Sequence, residues 1–433
     1  MPVGWDWITG HILVLSDYVI RLPADANVTL ATQELASEFT DKENFSLDTW
    51  PVSPAQYLSR SGVVACTIFF QTSSSLLGSS AIKLRERARS GHAFALDDLT
   101  IRLTVDVILK AIIGADLDHQ NSDNIIATAL AHITKWHSFG DPRVLAHPLR
   151  PLVQGYYGRL FNKWIHQALH KKFAEMKRSK QEPSSQTKKE EIPEATKLDN
   201  HFTEYLTYQL RLFLFAGTHT TSSSIAYVYH LLSKHPEALA QVRQEHDRIS
   251  GPDPSAVAQL LCEQPALLNQ CPYTMAVIKE TLRLYPPAGT MRQRCNGQSL
   301  TDRHGNEYPL MDDTSVTFLP ERWLVEPAHE LYPDPAAYRP FEQGPRNCIG
   351  QTLVINEMRV ILVMTVRTFD TYTAYDEWDA LRSNQAGFIS RLAQYTGFQD
   401  VKPKLVNGER AYQTEKAGTN ATDGYPCRLI LVA

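Results

Sequence analysis

The chain has 433 residues, 43% of them apolar and 21% charged, ordinary globular usage with enough apolar surface for a sizeable core. A formal charge of −4 gives no global reason to bind nucleic acid. Six cysteines, none in Cys-x-x-Cys spacing, argue against a zinc ribbon or a dithiol redox pair and suit a reduced, cytosol-facing protein.

Met1 to Asp6 lack the basic start and apolar run of a signal peptide. The apolar stretch over 12–20 is broken by Asp17 and is too short to span a bilayer, so no membrane anchor is expected. Helical periodicity dominates from about 96 to 177, with Leu103, Val107, Ile108 and Ile112 at spacings of three and four. Residues 179–197 are polar and charged and carry Pro183 and Pro193, so they read as a mobile loop. A long helix is expected over 201–234, where Phe202, Leu206, Leu210, Phe213 and Gly217 recur at helical spacing and Pro236 marks the stop. A second runs over 272–284, ended by Pro286 and Pro287. A third begins after Cys348 and continues through Glu357 to Thr368. From Gly387 onward, short turn-separated runs such as 428–432 read as strands. The fold class is mostly α with a minor β portion, and the whole chain, 1–433, reads as one domain.

Three segments carry chemistry. Residues 341–350 match Phe-x-x-Gly-x-Arg-x-Cys-x-Gly at every fixed position: Phe341, Gly344, Arg346, Cys348 and Gly350. At roughly 5% usage per residue type, the chance of such a match is about 3×10⁻⁷ per start site and on the order of 10⁻⁴ over the chain. A free thiol is mostly protonated at neutral pH, and the start of a helix favours the anion through unpaired N–H groups and the positive dipole end. Gly344 and Gly350 let the backbone turn tightly beside the sulfur. The blander alternative, a buried and inert cysteine, suits Cys66 and Cys262 better.

Residues 216–221 read Ala-Gly-Thr-His-Thr-Thr. Ala216 and Thr220 are four apart and share a helical face, while Gly217 leaves room beside the helix. A run of small residues packing on a neighbouring helix would look the same. Glu280 and Arg283 lie three apart on one face, a pattern that by itself is usually a solvated surface pair.

Taken in chain order, the segments resemble those of the cytochrome P450 family, with a likeness that runs from Trp5 to Pro426. The cysteine loop is similar to the family's haem-binding signature. That implies haem b with Cys348 as axial thiolate, a ligand that pushes electron density toward bound oxygen. It also implies that Arg346 pairs with a propionate and Phe341 covers the sulfur, with Arg292 in the place of another propionate contact. Residues 216–221 resemble the oxygen-activation motif Ala-Gly-x-acid-Thr-Thr, implying that Thr220 donates to bound oxygen and relays protons. Here His219 stands in the acid's place. Imidazole also passes protons, but with another charge and geometry. Glu280 and Arg283 resemble the family's buried Glu-x-x-Arg, and Phe318 to Trp323 resemble the segment that supplies a second arginine. A Glu280–Arg283–Arg322 cluster would then be structural and hold the cysteine loop in place.

The texture of 231–237 and 411–414 resembles fungal microsomal enzymes of secondary metabolism. The implied activity is a monooxygenase that inserts one atom of O2 into an apolar small-molecule substrate. Electrons would come from NADPH through an NADPH-cytochrome reductase. The implied place is the cytosolic face of the endoplasmic reticulum, with peripheral membrane contact and no nucleic acid. Two other readings stay open. His219 opens an isomerase or dehydratase without oxygen insertion. Shortening near 57–84 and 310–318 opens a non-catalytic, truncated relative that does not retain haem. The family's Trp-x-x-x-Arg helix is missing from the first of those segments, since Trp378 to Arg382 lies downstream of Cys348.

Overall fold

The computed structural model describes residues 76, 78–137, 142–181, 200–288, 299–301, 307–309, 317–333, 338–342, 347–348, 350–385, 405–406, 408–415 and 419–432. All of them fall in one compact unit built from Pro54–Gln186 and Ala195–Ala433. Arg292, Gly344 and Arg346 lie outside the described residues, as do most of the two segments read as shortened.

The helices are α1 (78–90), α2 (Leu96–Ile113), α3 (Ile125–Lys135), α4 (Pro142–Leu145), α5 (Arg150–Gln181), α6 (Asn200–Lys234), α7 (Pro236–Ser250), α8 (Val257–Glu263), α9 (Pro272–Leu284), α10 (Gln351–Thr365) and α11 (Tyr375–Gln385). The strands are β1 (Phe94–Ala95), β2 (Ser299–Thr301), β3 (Glu307–Pro309), β4 (Phe369–Thr373), β5 (Gln413–Glu415), β6 (Thr419–Ala421) and β7 (Pro426–Leu431). β1, β7 and β4 form an antiparallel sheet in that order, with Phe94 opposite Cys427 and Phe369 opposite Leu431. β2–β3 and β5–β6 are separate antiparallel pairs.

Helix ends follow local chemistry. α2 carries Asp97 and Asp98 in its first turn and Lys110 in its last, which complements the helix dipole. It stops at Gly114, whose φ of 68° lets its N–H reach back to the last turn. Pro236 cannot continue α6 but suits the first turn of α7. Two expectations need correcting. α5 continues to Gln181, three residues into the segment read as a loop. The helix after Cys348 ends at Thr365, because the chain turns there into β4.

α6 is the spine of the unit, and every residue over 221–232 is buried. Its partner along the core is α2, whose Leu103, Val107 and Leu109 are buried with Leu214, Ile225 and Tyr227 of α6. Polar bonds fix the register of the pair. The Thr104 hydroxyl donates to the Thr218 carbonyl at 3.2 Å, and Thr100 and Ser222 share a hydroxyl bond of 2.6 Å. Ser222 also donates to Asp97.

α10 carries a polar run, Asn356, Glu357 and Arg359, into the interior. Burial pushes the Glu357 carboxyl up to about 8, and its Oε1 has no hydrogen-bond partner. This group is protonated at neutral pH in the folded chain but ionised in the unfolded one. Its contribution to stability is therefore full below about pH 4.5 and is lost as pH rises through 8. Glu357→Gln removes the titration. It is expected to stabilise the protein at pH 8 by roughly 2–4 kcal/mol, at about 1.4 kcal/mol per pKa unit, and to change little at pH 4.5. Urea midpoints at the two pH values check this; equal gains at both would contradict it.

Candidate active site

Cys348 lies three residues ahead of α10, and its N–H donates to the Phe341 carbonyl at 2.8 Å. That bond ties the two ends of the loop together. Gln351 N–H returns to the Cys348 carbonyl at 3.3 Å, so the sulfur stands where the first N–H groups of α10 are still unpaired by the helix. The thiol is free and exposed. A Cβ on Gly350 would sit 3.8 Å from Sγ, an ordinary contact, so the backbone passes close without demanding glycine. Phe341 is half-buried and packs on the core. Beside the loop is a cleft of about 520 Å³, lined by Lys279, Trp323, Tyr338, Phe341, Asn347 and Gln351.

On α6, Ala216 is exposed and Thr220 half-buried, leaving an open face on a helix whose next turns are wholly buried. The Thr220 hydroxyl donates to the Ala216 carbonyl at 2.6 Å. Burial pushes the imidazole of His219 down to about 4, so it is neutral at pH 7, and its Nδ1 is buried without a partner.

Gly217 is explained by packing in this structure. A Cβ there would overlap Ile108 Cδ1 of α2, so the notch of the glycine is filled by that side chain. Gly217→Val is expected to cost roughly 1–3 kcal/mol through overpacking. Ile108→Val removes the opposing Cδ1 and should recover part of the loss, with a coupling of about 1 kcal/mol in a double-mutant cycle. Strictly additive unfolding midpoints would show that the two side chains do not meet.

Glu280 is 0% exposed and sits at the centre of a donor cluster. Arg283 forms a two-pronged pair with it at 2.9 and 2.8 Å, and Arg322 Nε reaches it at 3.1 Å. The Leu319 N–H donates at 2.9 Å and Trp323 Nε1 at 3.0 Å. Burial alone would raise the carboxyl, but bonds from Arg283, Leu319 and Trp323 outweigh it and hold Glu280 below the usual carboxylate range. Arg283 also donates to the Thr317 carbonyl at 3.0 Å, stitching α9 to the segment after 316. Trp323 and the Leu319 N–H were not singled out as donors from the sequence. The adjacency of Trp323 to Arg322 was the available signal. Trp378 to Arg382 lies in α11, where Arg382 pairs with Asp423 at 2.6 Å.

The structure thus brings Glu280, Arg283 and Arg322 together, groups Ala216, Gly217, His219 and Thr220 on one turn of α6, and ties Cys348 to Phe341 through the backbone. An uncommitted, exposed sulfur at a helix start is a donor that haem iron takes.

The family profile described as Cytochrome P450 matches residues 79–319 and 314–395. The chain is 34% identical over 381 residues to the cytochrome P450 monooxygenase polC of Polytolypa hystricis, covering 81% of this chain and 65% of the relative. It is 31% identical over 335 residues to the cytochrome P450 monooxygenase acrF of Aspergillus aculeatus, covering 68% of this chain and 67% of that one. The chain therefore spans about two thirds of the length of these relatives. Among solved structures, one cytochrome P450 superposes with a TM-score of 0.60 at 19% identity, over 90% of this chain and 83% of that one. A cytochrome P450 heme domain gives 0.58 at 18% identity, over 90% and 79%. Among the described residues no helix is long and apolar enough to cross a membrane.

Proposed function

Because this chain belongs to the cytochrome P450 family, we propose that it is a haem-thiolate monooxygenase that inserts one atom of O2 into an apolar small molecule. The observation that carries the reading is the free, exposed sulfur of Cys348 three residues ahead of α10. Haem, when bound, supplies the oxygen-activating redox chemistry.

The residues of the chain do the rest. Cys348 gives its sulfur to the iron as a thiolate. Phe341 limits water at that sulfur. Arg346 and Arg292 are assigned to the propionates, and the Glu280–Arg283–Arg322 cluster fixes the segment after 316 against α9. On α6, the exposed Ala216 side accepts apolar substrate. The Thr220 hydroxyl turns from the Ala216 carbonyl to hand on its proton. His219, neutral at pH 7, passes a proton by taking one at one ring nitrogen and releasing one from the other, and so keeps no charge in the site. Electrons come from NADPH through a reductase, at the cytosolic face of the endoplasmic reticulum, and the substrate class is an apolar product of fungal secondary metabolism.

The reduced, carbon monoxide-treated protein is expected to show a strongly red-shifted Soret band. Absence of any haem absorption would overturn the reading in favour of a non-catalytic relative. The neutral His219 favours one second reading, a haem-thiolate isomerase or dehydratase. Labelled O2 separates the two: label in the product supports oxygen insertion, and a converted but unlabelled product supports the alternative.

A further inference from the structure

Away from the cysteine loop, α7 and the start of α9 bring a second sulfur to an imidazole and a carboxylate. Glu245, His246 and Cys271 are 6%, 0% and 2% exposed. One ring nitrogen, the Cys271 Sγ and a carboxylate oxygen lie within 4.8 Å of one another. Part of the arrangement is structural. Glu245 accepts the Tyr273 N–H at 2.7 Å on Oε1, and the Thr274 N–H and hydroxyl at 2.9 and 2.6 Å on Oε2. It thereby caps α9 from a neighbouring helix.

These bonds decide the state of the imidazole. With the Thr274 hydroxyl proton aimed at Glu245, its oxygen accepts from His246 Nε2 at 2.8 Å. Nε2 therefore carries the proton, and Nδ1 is left with a free lone pair. Nδ1 is buried with no partner, a costly state for a polar atom. Cys271 is little better served, with a 3.9 Å contact to the Leu267 carbonyl. His246 and Cys271 line a void of about 10 Å³, otherwise walled mainly by Leu261, Leu267, Leu268 and Val363. That is room for roughly one water-sized sphere. Burial pushes the thiol up to about 12 and the imidazole down to about 3, so both are uncharged when the void holds nothing ionic.

We propose that Glu245, His246 and Cys271 form a binding site for one divalent, thiophilic metal ion of the zinc class. Nitrogen, sulfur and oxygen donors are the set that zinc takes, at about 2.0–2.3 Å. Donors around a tetrahedral ion stand roughly 3.5 Å apart at such lengths, so three atoms within 4.8 Å of one another need to close by about 1.3 Å at most. Glu245 keeps a spare lone pair on Oε1, which accepts one N–H. Thr274 is the outer hydroxyl that orients the imidazole, as second-shell groups do in metal centres. The ion replaces the thiol proton, which leaves to solvent, and itself takes the one water-sized space beside His246 and Cys271. The site needs neither Cys348 nor haem.

The test uses the full chain and Cd2+ as the probe, since cadmium thiolates absorb in the ultraviolet. After desalting, the protein is expected to retain one equivalent of Cd2+ with a thiolate charge-transfer band. Cys271→Ser and His246→Gln should each lose both signals, while Cys262→Ser and Cys348→Ser keep them. Retention of the band in Cys271→Ser, or no band in the unmodified chain, overturns the proposal. If Cys271→Ser does not fold, X-ray absorption on the Cd2+-loaded unmodified chain decides. One sulfur among nitrogen and oxygen neighbours supports the site, and a shell without sulfur overturns it.

Discussion

Replacing Cys348 by Ser is expected to abolish the red-shifted carbon monoxide band and bring oxygen-inserting turnover down to background. An alcohol is too weak an acid and too hard a ligand to stand in for a thiolate on iron. In the haem-free protein the same change should move folding stability by no more than about 0.5 kcal/mol, because it alters one exposed side chain. That contrast makes the measurement decisive. A retained band would assign the iron to another donor. A lost band accompanied by a large drop in the urea midpoint would assign Cys348 a structural role instead.

The second large effect is expected at Glu280. Glu280→Ala leaves the guanidinium groups of Arg283 and Arg322 and the indole N–H of Trp323 facing a hole where a buried carboxylate accepted all three. Breaking a buried ion cluster on one side costs roughly 3–5 kcal/mol, a large fraction of a domain's stability. Denaturant titration with an unchanged slope reads this directly, and a loss below about 1 kcal/mol would demote the cluster to an ordinary surface pair. The charge state adds a sign that can be checked. The carboxyl is held below its ordinary value of 4.5, so its stabilisation is present above that pH and fades as pH falls through the folded-state value. The variant should therefore lose less on acidification than the parent.

Helices were the readable part of this sequence because their signals are local. The apolar period of α6, the proline after it and the two prolines beyond α9 all act within a turn or two of where they stand. The Glu280–Arg283–Arg322 grouping was legible only through the likeness to a family, since a glutamate and an arginine three apart usually face water. Gly217 was ambiguous for a physical reason. Nothing near it in the chain announces Ile108, which arrives from α2 and fills the notch. The run of Asn356, Glu357 and Arg359 conceals its own burial, because polar spacing looks solvent-facing until α10 is placed inside the core. Glu245, His246 and Cys271 have no spacing signature at all; their meeting is a product of how α7 abuts α9.

The three-stranded sheet carries a timing constraint. Its middle strand is β7, and its flanking strands β1 and β4 come from far earlier in the chain. During synthesis, Phe94 waits for Cys427 to leave the ribosome before its pairing can form. Until then β1 and β4 present bare edges to other nascent chains, the kind of surface on which aggregation starts. A stop codon ahead of Pro426 would make that exposure permanent, so a chain cut there should be insoluble although the cysteine loop is already complete.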